Sequence, residues 1–272
     1  MQQPNSHTGF QRHVRACNNA ILPGDRLRFL INDAQVGWVK PRIAEALTAF
    51  DAITVAADRV VLKDAAALPD IAKALSNQGL YRWRGEAFDV RATPVDPVLS
   101  TIDRGAIPSF GIQAVGVHVN GLVQRPSGLH LWVARRAQNK LLDPGKLDHI
   151  VAGGICAGMG PLDTLIKEAG EEAAIPPDLV VKARCTGTIT YAKERPEGLR
   201  RDFLYTCDLT LPHDFEPRAA DGEVESFELW PIGRVVEAVR DTVDFKFNVN
   251  LVLIDLFQRL GLIAGPDIDG PV

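Results

Sequence analysis

The chain has 272 residues, of which 46% are hydrophobic and 24% charged, and a formal net charge of −4. That length allows one large domain or two smaller ones, each with a core of its own. The charge balance excludes the basic footprint of a polynucleotide binder, so no nucleic acid polymer is expected as a partner, while a nucleotide-sized substrate stays open.

The predicted elements fall into two halves. Residues 10–20 read as a helix. Residues 26–31 and 36–39 read as a strand pair around a turn at Asn32-Asp33. A helix over residues 43–50 follows Pro41, and another over 65–77 is ended by Gly79. Residues 88–91 read as a strand. Residues 93–108, with Pro94, Pro97, Gly105 and Pro108, are the linker candidate. Beyond them, residues 112–119 and 130–136 read as strands with turn residues over 121–128. Residues 153–160 hold Gly153, Gly154, Gly158 and Gly160. A helix over 161–174 follows, with Pro161 in its first turn, where no N–H is needed. Residues 183–191, 202–211 and 224–230 read as strands, and 231–240 and 247–260 as helices. This order predicts an N-terminal α+β domain over residues 1–105. Over 106–272 it predicts strands around a central helix, closed by C-terminal helices, in an α+β or α/β sandwich.

Cys17, Cys156, Cys185 and Cys207 form no Cys-x-x-Cys pair. Neither a zinc site nor a disulfide framework is expected, and all four thiols are read as buried and reduced. No apolar run approaches the roughly 20 residues that span a bilayer. The polar opening residues lack a signal pattern. The expectation is a cytoplasmic protein with no membrane partner.

The chemistry concentrates where the glycine-rich stretch meets its helix. Glu168, Glu171 and Glu172 lie three and four residues apart, so Glu168 projects beside both of the others. Like charges at that spacing repel, and near a helix C-terminus they also oppose the dipole. A hard divalent cation with oxygen ligands would offset both effects. No Gly-x-Ser-x-Gly elbow, phosphate-loop lysine motif or His-Glu-x-x-His is present.

Here the sequence resembles the Nudix hydrolases. Their box reads Gly, five residues, Glu, seven residues, Arg-Glu, an apolar residue, any residue, Glu-Glu, any residue, Gly, an apolar residue. Gly153 falls on the first Gly, Glu168 on the Glu after the Arg, Glu171 and Glu172 on the Glu pair, and Ile175 on the closing apolar position. Three positions depart: Met159 replaces the first Glu, Lys167 the Arg and Ala174 the last Gly. The segments Leu131-Trp-Val-Ala-Arg-Arg136, Pro144 to Gly154 and Asp221-Gly-Glu-Val-Glu extend the likeness to a subfamily with an extra N-terminal domain. Some fungal members of that subfamily are fused to thiamine pyrophosphokinase.

The resemblance implies a Nudix α/β/α sandwich behind a smaller N-terminal α+β domain. It implies hydrolysis of a diphosphate linkage in a small molecule, with thiamine diphosphate or its oxidised analogues as the substrate class. Glu168, Glu171, Glu172 and Glu223 are the implied ligands of magnesium, with manganese as the alternative. Glu171, Glu172, Glu223 and Lys167 are the implied catalytic set.

Other residues are weighed on position alone. Strand alternation puts Glu223 and Glu225 on one face, with Glu225 a substrate contact. Arg135 and Arg136 end a strand and could hold phosphate through planar guanidinium groups. Gly153 and Gly154 would let the backbone approach the phosphates. Lys146 is a further candidate of this kind, and His149 reads as a packing histidine. Lys193, Glu194, Arg195, Arg200 and Arg201 read as a solvated hairpin loop. Trp132, Tyr191 and Trp230 read as core. Three alternatives stay open: hydrolysis of a nucleoside diphosphate derivative, an isopentenyl-diphosphate-type isomerase using Cys156, and a non-catalytic diphosphate sensor, which Met159 and Lys167 favour. A homodimer is an open assembly.

Overall fold

The computed structural model describes residues 6–220 and 222–268, with the side chains of residues 6–8 set aside. Asp221 of the quoted segment lies outside the described residues.

Helix α1 (Ser6–Cys17) opens the described chain. Strands β1 (Leu27–Ile31) and β2 (Ala34–Val39) form the expected antiparallel pair, turning at Asn32, which takes the left-handed conformation that asparagine tolerates (φ 52°). Helix α2 (Pro41–Leu47) starts on a proline whose missing N–H costs nothing at that position. Two strands follow that periodicity did not reveal, β3 (Ile53–Val55) and β4 (Arg59–Leu62). β4 pairs parallel to β1, giving the sheet order β2-β1-β4-β3. A short 3₁₀ turn (Ala65–Ala67), capped by the Asp64 carboxylate, leads into α3 (Leu68–Asn77).

The proposed linker is not one. Within it, β6 (Ser100–Asp103) pairs with β5 (Ala87–Val90), and α4 (Ile107–Phe110) continues the same core. Its prolines occupy the turn between the strands and the first turn of α4, the places where a proline removes no needed N–H. The Asp103 carboxylate accepts from the N–H groups of Arg84, Gly85, Glu86 and Gly105 and fixes this corner. One core therefore runs from Phe29 to Ile112.

The second core is built on β7 (Gln113–Arg125), β8 (Gly128–Arg136), β9 (Leu147–Asp148), β10 (Val151–Gly154), β11 (Arg184–Arg195), β12 (Gly198–Thr210) and β13 (Val224–Pro231). The path is β11-β12-β7-β8-β13, with β12 parallel to β7. Strand β7 runs through residues 121–125, which the glycine and polar content marked as turn. It pairs with β10 over residues 116–119 and with β8 over 122–125, so the sheet forks along one strand. Gly153 and Gly154 belong to β10 rather than to a loop.

Helices α5 (Pro161–Ala173) and α6 (Pro177–Val180) cover one face. On the other face lie α7 (Ile232–Asp241), α8 (Val249–Arg259) and α1. This is an α/β/α sandwich. Phe10, Val14 and Cys17 of α1 are buried in the C-terminal core, Phe10 edge-on to Phe257 at 6.3 Å.

Two further expectations are corrected. Cys185 and Cys207 are directly opposite across β11–β12 and form a disulfide, because strand register brings together residues 22 apart in sequence. The β11–β12 hairpin is not a free polar loop: Lys193, Arg195 and Arg200 surround the Phe247 ring at 5.2–5.8 Å. Trp132, Tyr191 and Trp230 are buried, as expected. No helix among the described residues is long and apolar enough to cross a membrane.

Candidate functional site

Helix α5 presents its carboxylates in graded burial. Leu165, Ala169 and Ala173 face the sheet, and Glu172 shares that face, seven residues from Leu165. Glu172 is 9% exposed, and one carboxylate oxygen accepts the Ala152 N–H at 2.8 Å. Burial pushes its carboxyl well above the usual range. The Ala152 N–H opposes this, and the charges of Asp148, Glu168 and Glu223 add to it.

The side chain of Glu168 is 16% exposed and lies flat over Gly153. A Cβ added to Gly153 would stand 2.4 Å from Glu168 Cγ, so only glycine fits beneath this acid. Burial raises the Glu168 carboxyl, Lys167 opposes, and Glu171 and Glu223 add to the rise. Glu171 is half exposed and pairs with Lys167 at 2.7 Å; Lys167 also reaches Glu168 at 3.3 Å. The hydrogen bond to Glu171 holds the Lys167 ammonium charged. Lysine thus keeps the ion pair at the arginine position but spans two acids with one nitrogen.

The C-terminus of α5 closes on Ala174 in the left-handed conformation (φ 52°), with the Ile175 N–H donating to the Ala169 carbonyl at 3.0 Å. That conformation favours glycine, the box residue at this position.

Glu223 precedes β13. It pairs with Lys140, and its carbonyl accepts the Ala137 N–H at 2.9 Å. Burial would raise its carboxyl, but the Lys140 bond and charge, with Arg104 and Arg136, bring it below the usual range. Its charge in turn acts on both Glu168 and Glu172, so three acids from a helix and a distant loop share one region. Simple alternation does not extend to Glu225. A bulge between Val224 and Ser226 inserts Glu225 as an extra, exposed residue and breaks the two-residue period.

The two arginines have protein partners. Arg136 donates to Asp148 at 2.7 Å and to the Leu142 and Asp143 carbonyls. Arg135 donates to the Gly145 carbonyl at 3.1 Å and lines a surface cavity beside Trp230. Lys146 donates to the Val243 carbonyl. Asp148 also pairs with Lys246 at 3.5 Å, and its carboxyl stays ionised although burial opposes this, because Lys246 and Arg136 flank it. His118 and His149 hydrogen-bond to each other at 2.9 Å behind it. Burial keeps both neutral, His149 down to about 4. Ligand atoms of His118, Asp148 and His149 lie within 4.8 Å of one another. Arg136 and Lys246 already flank Asp148, which opposes a further cation on this trio, although the buried His149 Nε2 has no hydrogen-bond partner among the described residues.

Glu168, Glu171, Glu172 and Glu223 carry the donor type that a hard divalent cation takes, although no three of them are gathered as closely as the ligand atoms of that trio. All are oxygen donors, and burial and mutual repulsion disfavour charge on Glu168 and Glu172 when no cation is near. Cys156, the residue an isomerase reading needs, is half-buried with its thiol raised, chiefly by burial.

Sequence reasoning missed the contribution of the N-terminal core. The Ala157 N–H donates to the Ala87 carbonyl at 2.8 Å, and the Gly158 N–H to Asp89 at 3.3 Å. The Phe88 ring rests on Gly154, where an added Cβ would stand 2.7 Å from it. No local pattern announces contacts between segments about 70 residues apart.

Family models and relatives among known proteins match both halves of the chain. A NUDIX domain model matches residues 115–248, and a domain of unknown function, DUF4743, matches residues 9–114. Nudix hydrolase 20, chloroplastic, of Arabidopsis thaliana is 34% identical over 97% of this chain and 75% of its own length. Nudix hydrolase 24, chloroplastic, of the same plant is 35% identical over 96% and 75%. The crystal structure of DR0079 from Deinococcus radiodurans superposes with a TM-score of 0.48 at 19% identity, covering 64% of this chain and 98% of that one. With the acidic helix over Gly153 and relatives matching along nearly its whole length, the chain belongs to the Nudix hydrolase family, as a pyrophosphohydrolase with an additional N-terminal domain.

Proposed function

We propose that the protein hydrolyses the diphosphate linkage of a small organic diphosphate, with thiamine diphosphate and its oxidised analogues as the substrate class. The observation that carries the hydrolytic reading is the seating of Glu168 on Gly153, with Glu172 buried against the neighbouring Ala152 N–H and the charge of Glu223 felt by both. The thiamine preference rests on the likeness of the flanking segments to the thiamine pyrophosphokinase-associated subfamily.

In this reading Glu168, Glu171, Glu172 and Glu223 hold magnesium, with manganese as the alternative. When bound, the cation neutralises phosphate charge and acidifies a coordinated water. Glu223, which stands outside helix α5 and is kept ionised beside Lys140, would be free of a proton and able to accept one. The Ala152 N–H fixes the orientation of Glu172. Lys167 holds Glu171 in place and balances the acids before substrate arrives. Gly153 and Gly154 leave room for Glu168 and the Phe88 ring to lie against β10, which seats the acid and the ring beside each other. Arg136 serves through Asp148 as an anchor of β8 against β9. Arg135 and Glu225 are assigned to the substrate's outer edge. The cytoplasm is the proposed compartment and the monomer or homodimer the active species.

The test is phosphate release with magnesium from thiamine diphosphate, oxothiamine diphosphate, ADP-ribose and isopentenyl diphosphate in parallel. Glu172→Gln is expected to lower turnover at least 100-fold while the melting curve is retained. Wild-type turnover by that folded variant would refute the assignment.

A further inference from the structure

A cavity of about 200 Å³ opens where the two cores meet, beside the start of α5. Its sheet side is formed by Val115, Ile155 and Tyr205, and its N-terminal side by Phe88 and Pro94. Met159, Gly160 and Pro161 bring it to the end of the glycine-rich segment. Gln113 and Thr93 give it two hydrogen-bonding side chains. Its charged lining, Asp89 and Arg91, is already paired at 2.9 Å, so little uncompensated charge faces the cavity. Flat apolar side chains interleaved with hydrogen-bonding groups, around a space with room for a ring, suit an aromatic heterocycle with polar edges.

The wall is held rigidly. Phe88 is 4% exposed and packed on Gly154, while Ala87 and Asp89 bind the N–H groups of Ala157 and Gly158. The same strand β5 therefore both shapes the cavity and sets the segment that leads into the acidic helix.

From this juxtaposition we infer that the cavity binds the aromatic heterocycle of the substrate, that β5 of the N-terminal domain is a specificity element, and that Met159 is a cavity wall residue. The inference rests on the pyrophosphohydrolase reading for what the heterocycle is attached to. It also gives the departure at residue 159 a role: where the box has a carboxylate, Met159 lines the cavity with a polarizable apolar side chain that packs well against an aromatic ring. The heterocycle then lies next to α5, with its diphosphate directed toward Glu168 and Glu172.

The test separates ring binding from turnover. Thiamine and adenosine, heterocycles without a diphosphate, are titrated against the full-length protein by saturation-transfer NMR. The wild type is expected to bind at least one of them. Met159→Glu and Val115→Trp are expected to weaken that binding tenfold or more, and Met159→Leu to keep it within about twofold, with all melting curves intact. No binding of either heterocycle to the wild type, or wild-type binding by both disruptive variants, overturns the assignment. Intact heterocycle binding with no turnover of any diphosphate would instead sink the hydrolytic reading alone.

Discussion

Gly153 is the residue whose identity matters most for its size. Because an added Cβ would meet Glu168 at 2.4–2.5 Å, Gly153→Ala must displace that acid. Turnover is expected to fall at least tenfold with a stability loss of about 1–3 kcal/mol, the range for overpacking a tight site; steady-state kinetics and urea titration check both. Ala174 is the opposite case. It holds a left-handed conformation that costs an L-residue about 1 kcal/mol relative to glycine. Ala174→Gly should therefore raise the melting temperature by about 2–4 °C in a chain of this size, and an unchanged or lower value would contradict the strain argument.

The buried histidines set a pH dependence. The unfolded chain protonates His149 near 6.5, the folded one only near 4. Between these values the unfolded state binds more protons, so stability falls as pH drops from about 6.5 toward 4 and is level above. The raised carboxyls of Glu168 and Glu172 act with the opposite sign. In a Glu168→Gln/Glu172→Gln background, stability at pH 5 should be about 2 kcal/mol below that at pH 8 by this linkage. Equal urea midpoints at the two pH values would rule it out.

At the scale of elements, the cysteines show what register does. Cys185 and Cys207 carry no motif, yet the β11–β12 pairing makes them direct neighbours. Thiol titration of the protein unfolded without reductant should count two free groups, Cys17 and Cys156, rather than four. The long strands and helices of the C-terminal half were legible because they are regularly patterned, while β9, β10 and α6, of two to four residues, were not. Helix α5 was legible almost to the residue, since Pro161, the apolar stripe and the acid spacing agree. Short strands were not: β3, β4 and β6 hold three or four residues each, too few for a period to emerge. Two misreadings share one cause. Gly121 reads as a turn residue and Gly153–Gly154 as part of a glycine-rich loop, but all three sit in strands where another chain segment packs too closely for a side chain. Ile150 stands 2.8 Å from an added Cβ at the first, Glu168 and Phe88 against the pair.

Across the whole molecule the two cores are interleaved rather than strung together. Helix α1, first in the described chain, seals the face of the sandwich that α7 and α8 also cover. Phe10→Ala is therefore expected to destabilise the C-terminal domain by about 3–5 kcal/mol, as for other buried aromatics. Hydrogen exchange in α8 would detect the loss, and exchange faster only near α1 would argue against this coupling.

The sequence by itself determined the chemistry of the acidic helix. Residues on one helical turn meet through local geometry alone, so Glu168, Glu171, Glu172 and Lys167 were bound to be neighbours once α5 formed. Only the tertiary structure decided which further groups join them. Glu223 arrives from a loop some fifty residues away, Arg136 turns to Asp148, and Phe88 closes a cavity from another core. Such meetings depend on how sheets stack and strands register, and that is settled by burial across the whole chain rather than by spacing within any stretch of it.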